Sequence, residues 1–281
     1  MSTLHAIIVA NLEDQRIGCE TDVKNWRQEL ATISKFAKMK LNKIEVMGED
    51  WSRDTVMKTV KKLSPKKDDA VIFYYSGHGY RVPSMKSSQW PAIALQGHEG
   101  LGLAWVYREL SEKNPRFLLV MSDSCNNEIP EDAIHTIKGF RGVSLADVSK
   151  GYKSLFAKYT GKILASSSIP GQYSYGSPPE GGVYTSKFLT TLRKLVQDDA
   201  EWKTIMDVVN QPLSGGKQQP QFAINRDITE KEALRSLAPG FFSQQKMLKT
   251  FFGGCEYCTE DDLRNEMSLG ELGAFLASEI Y

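Results

Sequence analysis

The stretch Phe117–Asn127, FLLVMSDSCNN, does most to limit what this chain can fold into. Five apolar residues, Phe117 to Met121, run unbroken into small and polar ones. Such a run suits a strand buried on both faces, and a sheet covered on both faces is characteristic of mainly parallel α/β proteins. In open α/β sheets, ligands bind in the crevice outside the carboxyl ends of the strands. A thiol, Cys125, stands at that edge, and strand alternation turns Asp123 to the same side. Ala70–Gly79, AVIFYYSGHG, repeats the design, with His78 beyond its strand and Ser76 on the same side. Two adjacent strands ending in a Cys and a His form a candidate catalytic pair.

The rest of the chain agrees with an α/β reading. Leu4–Ala10, Lys43–Met47, Asp69–Tyr75, Lys162–Ser166 and a short Gln221–Ile224 near the sheet edge are predicted strands beside the Cys125 strand. Asp22–Met39 carries Val23, Trp26, Leu30, Ile33 and Ala37 at helical spacing. Arg53–Leu63, Gly102–Glu112, Leu145–Tyr159, Val183–Val196 and Trp202–Asn210 are further predicted helices. A long loop spans Gly79–Gln89, and Ala92–Leu95 is a short extended piece. A polar stretch follows Cys125 to about Val143, and Ile169–Gly182 is turn chemistry throughout. The expectation is one domain over 1–227, a central sheet of about six mainly parallel strands with helices on both faces. Residues 228–281 form a helical and then acidic extension.

Bulk properties exclude several classes. A net charge of +1 and a pI near 7.6 give no reason to expect nucleic acid or a membrane as partner. The first residues lack a basic flank and a cleavage-like end, and no apolar run approaches ~18 residues. Four cysteines do not make a disulfide framework, so the expected location is cytoplasmic. LSGGKQQ, Leu213–Gln219, is not a phosphate-binding loop, because Gln follows the Lys and the upstream glycine is absent. A nucleotide-binding reading therefore lacks a fingerprint. The Cys255/Cys258 pair has no partner ligands for zinc, and Lys58, Lys61, Lys62, Lys66 and Lys67 read as a solvated face.

Taken singly, Cys125 reads as a small buried hydrophobe and His78 as part of a tight turn between glycines. Together they stand 47 positions apart, His first, each just past its strand. On these motifs the chain resembles the caspase-like cysteine peptidases, in particular the metacaspase and prokaryotic caspase-homologue branch. YSGHG at Tyr75–Gly79 and DSC at Asp123–Cys125 match the family's histidine and cysteine motifs. IGCETDV at Ile17–Val23 is similar to the loop after the first strand. SSSIPGQYSYG at Ser166–Gly176, GGVYTSKFLTTL at Gly181–Leu192 and QQPQF at Gln218–Phe222 are similar to the substrate loop, the helix after it and the last strand. The resemblance runs in consistent order over about residues 4–225.

What the resemblance implies is a cysteine endopeptidase with Cys125 as nucleophile, His78 as proton carrier and the N–H groups of Gly79 and Cys125 as oxyanion donors. No side chain that orients His78 is visible, and a backbone carbonyl could serve. Asp22 and Asp123 match the two acids of the metacaspase primary pocket, with Cys19 and Ser76 as its other lining residues. Two carboxylates there call for Arg or Lys in a peptide substrate, and without a cation their repulsion should raise one pKa. Ser174 and Tyr175 belong to Tyr173–Gly176, expected to offer backbone groups to an extended substrate, with Tyr175 walling the next pocket. Arg16 matches an arginine of Asp-specific caspases. Those enzymes carry Gln at the place of Asp123 and Arg at that of Gly176, so Arg16 is expected to be a salt-bridged loop residue.

Calcium activates many metacaspases, yet Glu99 is the only acid between Gly79 and Arg108, whereas such a site takes 6–8 oxygens. No cofactor and no metal ligand are expected. Relatives are often cut in the stretch that here carries Lys138, Arg141, Lys150 and Lys153, making self-cleavage a candidate activation step. A monomer is the expected state. The rival reading, from another class, is a catalytically silent caspase-like adaptor or decoy that binds a protein partner.

Overall fold

The structure is a computed structural model describing residues 1–82, 85, 88–127 and 148–236. The expected polar stretch after Cys125, Lys138, Arg141, and Cys255 and Cys258 lie outside the described residues.

Strand β1 (Thr3–Ala10) leads through a loop into helix α1 (Cys19–Ala37), followed by β2 (Lys40–Val46), α2 (Arg53–Lys62) and β3 (Ala70–Ser76). Three short strands, β4 (Gly79–Tyr80), β5 (Ala92–Ala94) and β6 (Gly100–Gly102), form a small antiparallel sheet before α3 (Leu103–Glu112). Strand β7 (Phe117–Asp123) ends beside Cys125. Helix α4 (Val148–Tyr152) widens into a π turn over Lys153–Lys158 and precedes β8 (Gly161–Ser166). A two-strand ribbon, β9 (Gly176–Ser177) and β10 (Gly181–Gly182), opens α5 (Val183–Leu195), and α6 (Trp202–Val209), β11 (Gln221–Ile224) and α7 (Glu230–Arg235) complete the order.

The six long strands form one sheet in the order β11-β8-β7-β3-β1-β2. All neighbours are parallel except β11, which runs antiparallel to β8. Alternation assigns each strand's side chains to two cores. Leu4, Ile72, Tyr74, Phe117, Leu119 and Met121 pack under α1, α4, α5 and α6. Ile7, Val9, Val71, Phe73, Leu118 and Val120 pack under α2 and α3, where Ile228 and Ala233 also lie. Burying each such side chain fully contributes about 1.5–3 kcal/mol. The fold class read from sequence thus stands: α/β, six strands, mainly parallel, with seven α-helices around them among the described residues.

Element bounds differ in instructive places. Helix α1 starts at Cys19 rather than Asp22, and Cys19 extends the buried series Val23, Trp26, Leu30, Ile33 and Ala37 back into an otherwise polar first turn. Glu20 in that turn suits the positive end of the helix. Strand β2 starts at Lys40 rather than Lys43. It is an edge strand with Lys40, Asn42 and Lys43 exposed, so backbone pairing to Thr3–Ala6 defines it, not side-chain pattern. The five lysines at the end of α2 are exposed, and Lys150 and Lys153 are helical. Among the described residues no helix is long and apolar enough to cross a membrane.

Candidate active site

Because β3 and β7 are parallel neighbours with Ser76 opposite Asp123, His78 and Cys125 each lie two residues past a paired position. The Gly77 N–H donates to the Asp123 carbonyl at 3.2 Å, extending the pairing toward them. A Cβ on Gly79 would overlap the Cys125 carbonyl oxygen and come within 2.6 Å of Ser124 Cβ. Only glycine allows the chain after His78 to lie against the chain at Cys125.

Cys125 is partly exposed as a residue, while its sulfur faces the backbone of Ser174, whose N–H donates to it at 3.4 Å. The thiol in turn reaches the Ser174 carbonyl at 3.8 Å. Burial pushes the thiol up to about 11, only partly offset by the Ser174 N–H. The loop around it is tied down by serines. Ser124 N–H donates to Ser167 Oγ at 2.9 Å, and the hydroxyls of Ser167 and Ser168 donate back to the Ser124 carbonyl. Asn126, fully buried, donates to the carbonyls of Gln89 and Ser168 and accepts from Arg81.

His78 is held on its backbone and on its ring. Its carbonyl accepts from Tyr75 OH at 2.8 Å and from the Ala94 N–H at 2.9 Å. Its Nε2 lies 2.9 Å from Oδ2 of Asp14, in the loop after β1. The partner that sequence reading left unnamed is therefore a carboxylate. Arg16 grips the same Asp14 with Nε to Oδ1 at 2.9 Å and Nη2 to Oδ2 at 2.8 Å, which bears out a salt-bridged role for this arginine. Burial pushes the Asp14 carboxyl up, but hydrogen bonds from His78 and Arg16 outweigh it and hold the group well below the usual carboxylate range.

Alternation puts Ser76 and Asp123 on the α1 side of the sheet, the side of Tyr74 and Met121. There the first turn of α1 brings Cys19 and Asp22. Asp22 and Asp123 are buried, as are Cys19 and Ser76. Asp22 Oδ2 accepts from Ser76 Oγ at 2.7 Å and Oδ1 from the Gly182 N–H at 2.8 Å. Asp123 Oδ1 accepts from Ser174 Oγ at 2.5 Å. Its Oδ2 takes both the N–H (2.9 Å) and Oγ1 (2.7 Å) of Thr185, in the first turn of α5. Tyr74 OH pairs with Thr185 Oγ1 at 2.6 Å. Burial first and then the charge of Asp123 push Asp22 up to about 8; burial also raises Asp123. The expected rise is present, with desolvation rather than repulsion as the leading cause. Burial and nearby Asp22 likewise raise the Cys19 thiol.

In the substrate loop Tyr175, expected to wall the next pocket, is a buried residue. Its N–H donates to Gln218 Oε1 at 3.3 Å and its carbonyl accepts from Val183 at 2.9 Å. With Ser174 turned to Cys125, the backbone groups of both residues are engaged internally. The donor set in the β4–β6 region does not fit calcium: Glu99 is its one acid. No group of three or more His, Cys, Asp or Glu side chains converges among the described residues.

Sequence reading missed Asp14, Thr185, Gln218 and the serine seam. A signal existed for the seam, since SDS at Ser122–Ser124 and SSS at Ser166–Ser168 end adjacent strands.

No curated protein matches this chain. Among solved structures, the crystal structure of protein GSU0716 from Geobacter sulfurreducens is similar with a TM-score of 0.51 at 15% identity. The match covers 82% of this chain and 96% of that one, a likeness of fold. The family model for the caspase domain of the C14 peptidases matches residues 3–230. With that match over most of its length, the chain belongs to the caspase family of cysteine peptidases.

Proposed function

We propose that this protein is a cysteine endopeptidase that cuts after Arg or Lys. The observation that carries the reading is the pair of buried carboxylates, Asp22 and Asp123, flanking Gly182 on the β7 edge that leads to Cys125. A guanidinium or ammonium group is what two such acids favour, Arg by bidentate contact and Lys as a point charge. Cys19, Ser76 and Ser174 line this slot, and Tyr175 walls the neighbouring one.

In the proposed reaction His78 takes the Cys125 thiol proton, and the sulfur attacks the scissile carbonyl. The N–H groups of Gly79 and Cys125 stabilise the oxyanion, each donor contributing about 3–4 kcal/mol; the close approach of Gly79 to Cys125 supports the pairing. His78 then protonates the departing amine, and water attacks the thioester. The thiol raised to about 11 and the internally bonded Ser174 and Tyr175 describe a resting state that substrate must rearrange. The same two features favour the rival reading, a silent module.

A peptide panel with Arg, Lys or Asp before the cut separates the readings, using wild type, Cys125→Ala and Asp123→Ala. Expected is turnover of Arg and Lys peptides only, lost in Cys125→Ala. No turnover by wild type, with or without calcium, sinks the enzyme reading; hydrolysis only after Asp sinks the pocket assignment.

A further inference from the structure

We propose that Asp14 is a positioning residue for His78, holding the imidazole by Nε2–H so that Nδ1 is the nitrogen that serves the Cys125 thiol. An ionised carboxylate only accepts hydrogen bonds, so an imidazole nitrogen 2.9 Å from Asp14 Oδ2 must carry the proton. In the neutral ring the other nitrogen is then the base. The rate effect of this contact rests on the Cys125/His78 reading above; the tautomer does not.

Three features make the contact a built one. Asp14 is kept ionised and oriented by Arg16, which approaches both oxygens through its side chain and donates its own N–H to Oδ1 at 3.0 Å. The loop carrying Asp14 is shaped by the buried Asn11, whose Oδ1 accepts from the N–H groups of Glu13 and Asp14. Asn11 in turn donates its N–H to the Ser76 carbonyl at 3.0 Å, docking the loop onto the end of the strand that leads to His78. Both side chains of the contact are nearly enclosed, His78 at 13% exposure and Asp14 at 12%. Arg16 does more than stiffen the carboxylate. It also sets a positive charge beside the carboxylate that His78 contacts.

The test uses the full chain with Asp14→Asn and Asp14→Ala. Asn keeps the turn-capping oxygen, so the variant preserves the loop, but its amide can donate as well as accept. Two readouts are taken: the His78 tautomer from long-range proton–nitrogen spectra at pH 8, and kcat with KM on a peptide with Arg before the cut. Expected is an Nε2–H tautomer in wild type that becomes mixed in both variants. With it kcat should fall ten- to a hundredfold while KM stays within about threefold. An Nδ1–H tautomer in wild type, or variants with unchanged tautomer and kcat, overturns the proposal. If wild type cleaves no peptide yet its tautomer depends on Asp14, the positioning role stands and the peptidase reading falls. If peptides are cleaved and both variants match wild type, the reverse holds.

Discussion

Gly182 donates its N–H to Asp22 at 2.8 Å while its own Cα lies against Asp123, so one glycine separates two buried acids. Its φ of −69° and ψ of 136° are open to any residue. Glycine is required there for room, because a Cβ would overlap Asp123 Oδ2 and stand 3.1 Å from Asp22 Oδ2. Gly182→Ala should destabilise the fold by about 1–3 kcal/mol, read from denaturant melts. It should also raise KM for Arg peptides at least tenfold, by pushing the carboxylates apart. A variant with wild-type stability and KM would mean the slot is looser than these contacts imply.

Stability away from the site should depend on Trp202. Its ring stacks on Phe117 at 5.1 Å, meets Phe156 edge-on at 5.2 Å and donates Nε1–H to the Leu155 carbonyl at 3.0 Å. It thereby ties α6 to β7 and to the π turn after α4. Trp202→Ala should lose about 3–5 kcal/mol and Trp202→Phe clearly less, as measured by urea unfolding. Equal losses would place the stabilisation in the hydrogen bond rather than in ring packing.

Much of this architecture is legible in local pattern. The unbroken apolar runs of β1, β3 and β7 mark strands covered on both faces, and the change from apolar to polar at Ser122 and Ser76 marks the edge that carries the candidate site. Pattern fails where structure is set by distant partners. Strand order puts β1 next to β3, which brings the loop of Asp14 beside His78; no spacing between residues 14 and 78 encodes that. Strands of two or three residues, such as β4 and β9, are too short to show alternation. Tyr175 is buried by Gln218 and the start of α5, both remote in sequence.

The resting Cys125 should behave as a poor nucleophile. Burial raises the thiol to about 11 from an ordinary 9, so the folded chain keeps a proton that the unfolded chain has released between those values. Stability contributed at this position is therefore lost as pH rises from 9 to 11. Iodoacetamide modification of Cys125, tracked by peptide mapping without substrate, should be slow at pH 7 and climb beyond pH 9. A rate already at its plateau at pH 7 would reveal a thiolate held by imidazolium before substrate arrives.

The strongest pH response is expected of Asp22. Burial, then the charge of Asp123, lift its carboxyl to about 8 from 3.8, against the donors Ser76 and Gly182. Between those values the folded chain holds a proton that the unfolded chain has lost, so stability falls as pH rises through the window. Asn imitates the neutral acid, offering oxygen to the Gly182 N–H and a donor to Ser76 Oγ. Asp22→Asn should thus flatten the pH dependence and, at pH 8, exceed wild-type stability by on the order of a few kcal/mol. Melts at pH 5, 7 and 9 test this. A guanidinium ligand reverses the preference, because a cation stabilises the ionised pair. Inhibition of Arg-peptide cleavage by agmatine should tighten from pH 6 to 8 in wild type. In Asp22→Asn it should weaken at least tenfold and lose most of that slope. Wild-type stability that is flat with pH, together with agmatine binding that ignores it, would mean that Asp22 is ionised without a cation. The paired acids would then not be what selects the substrate.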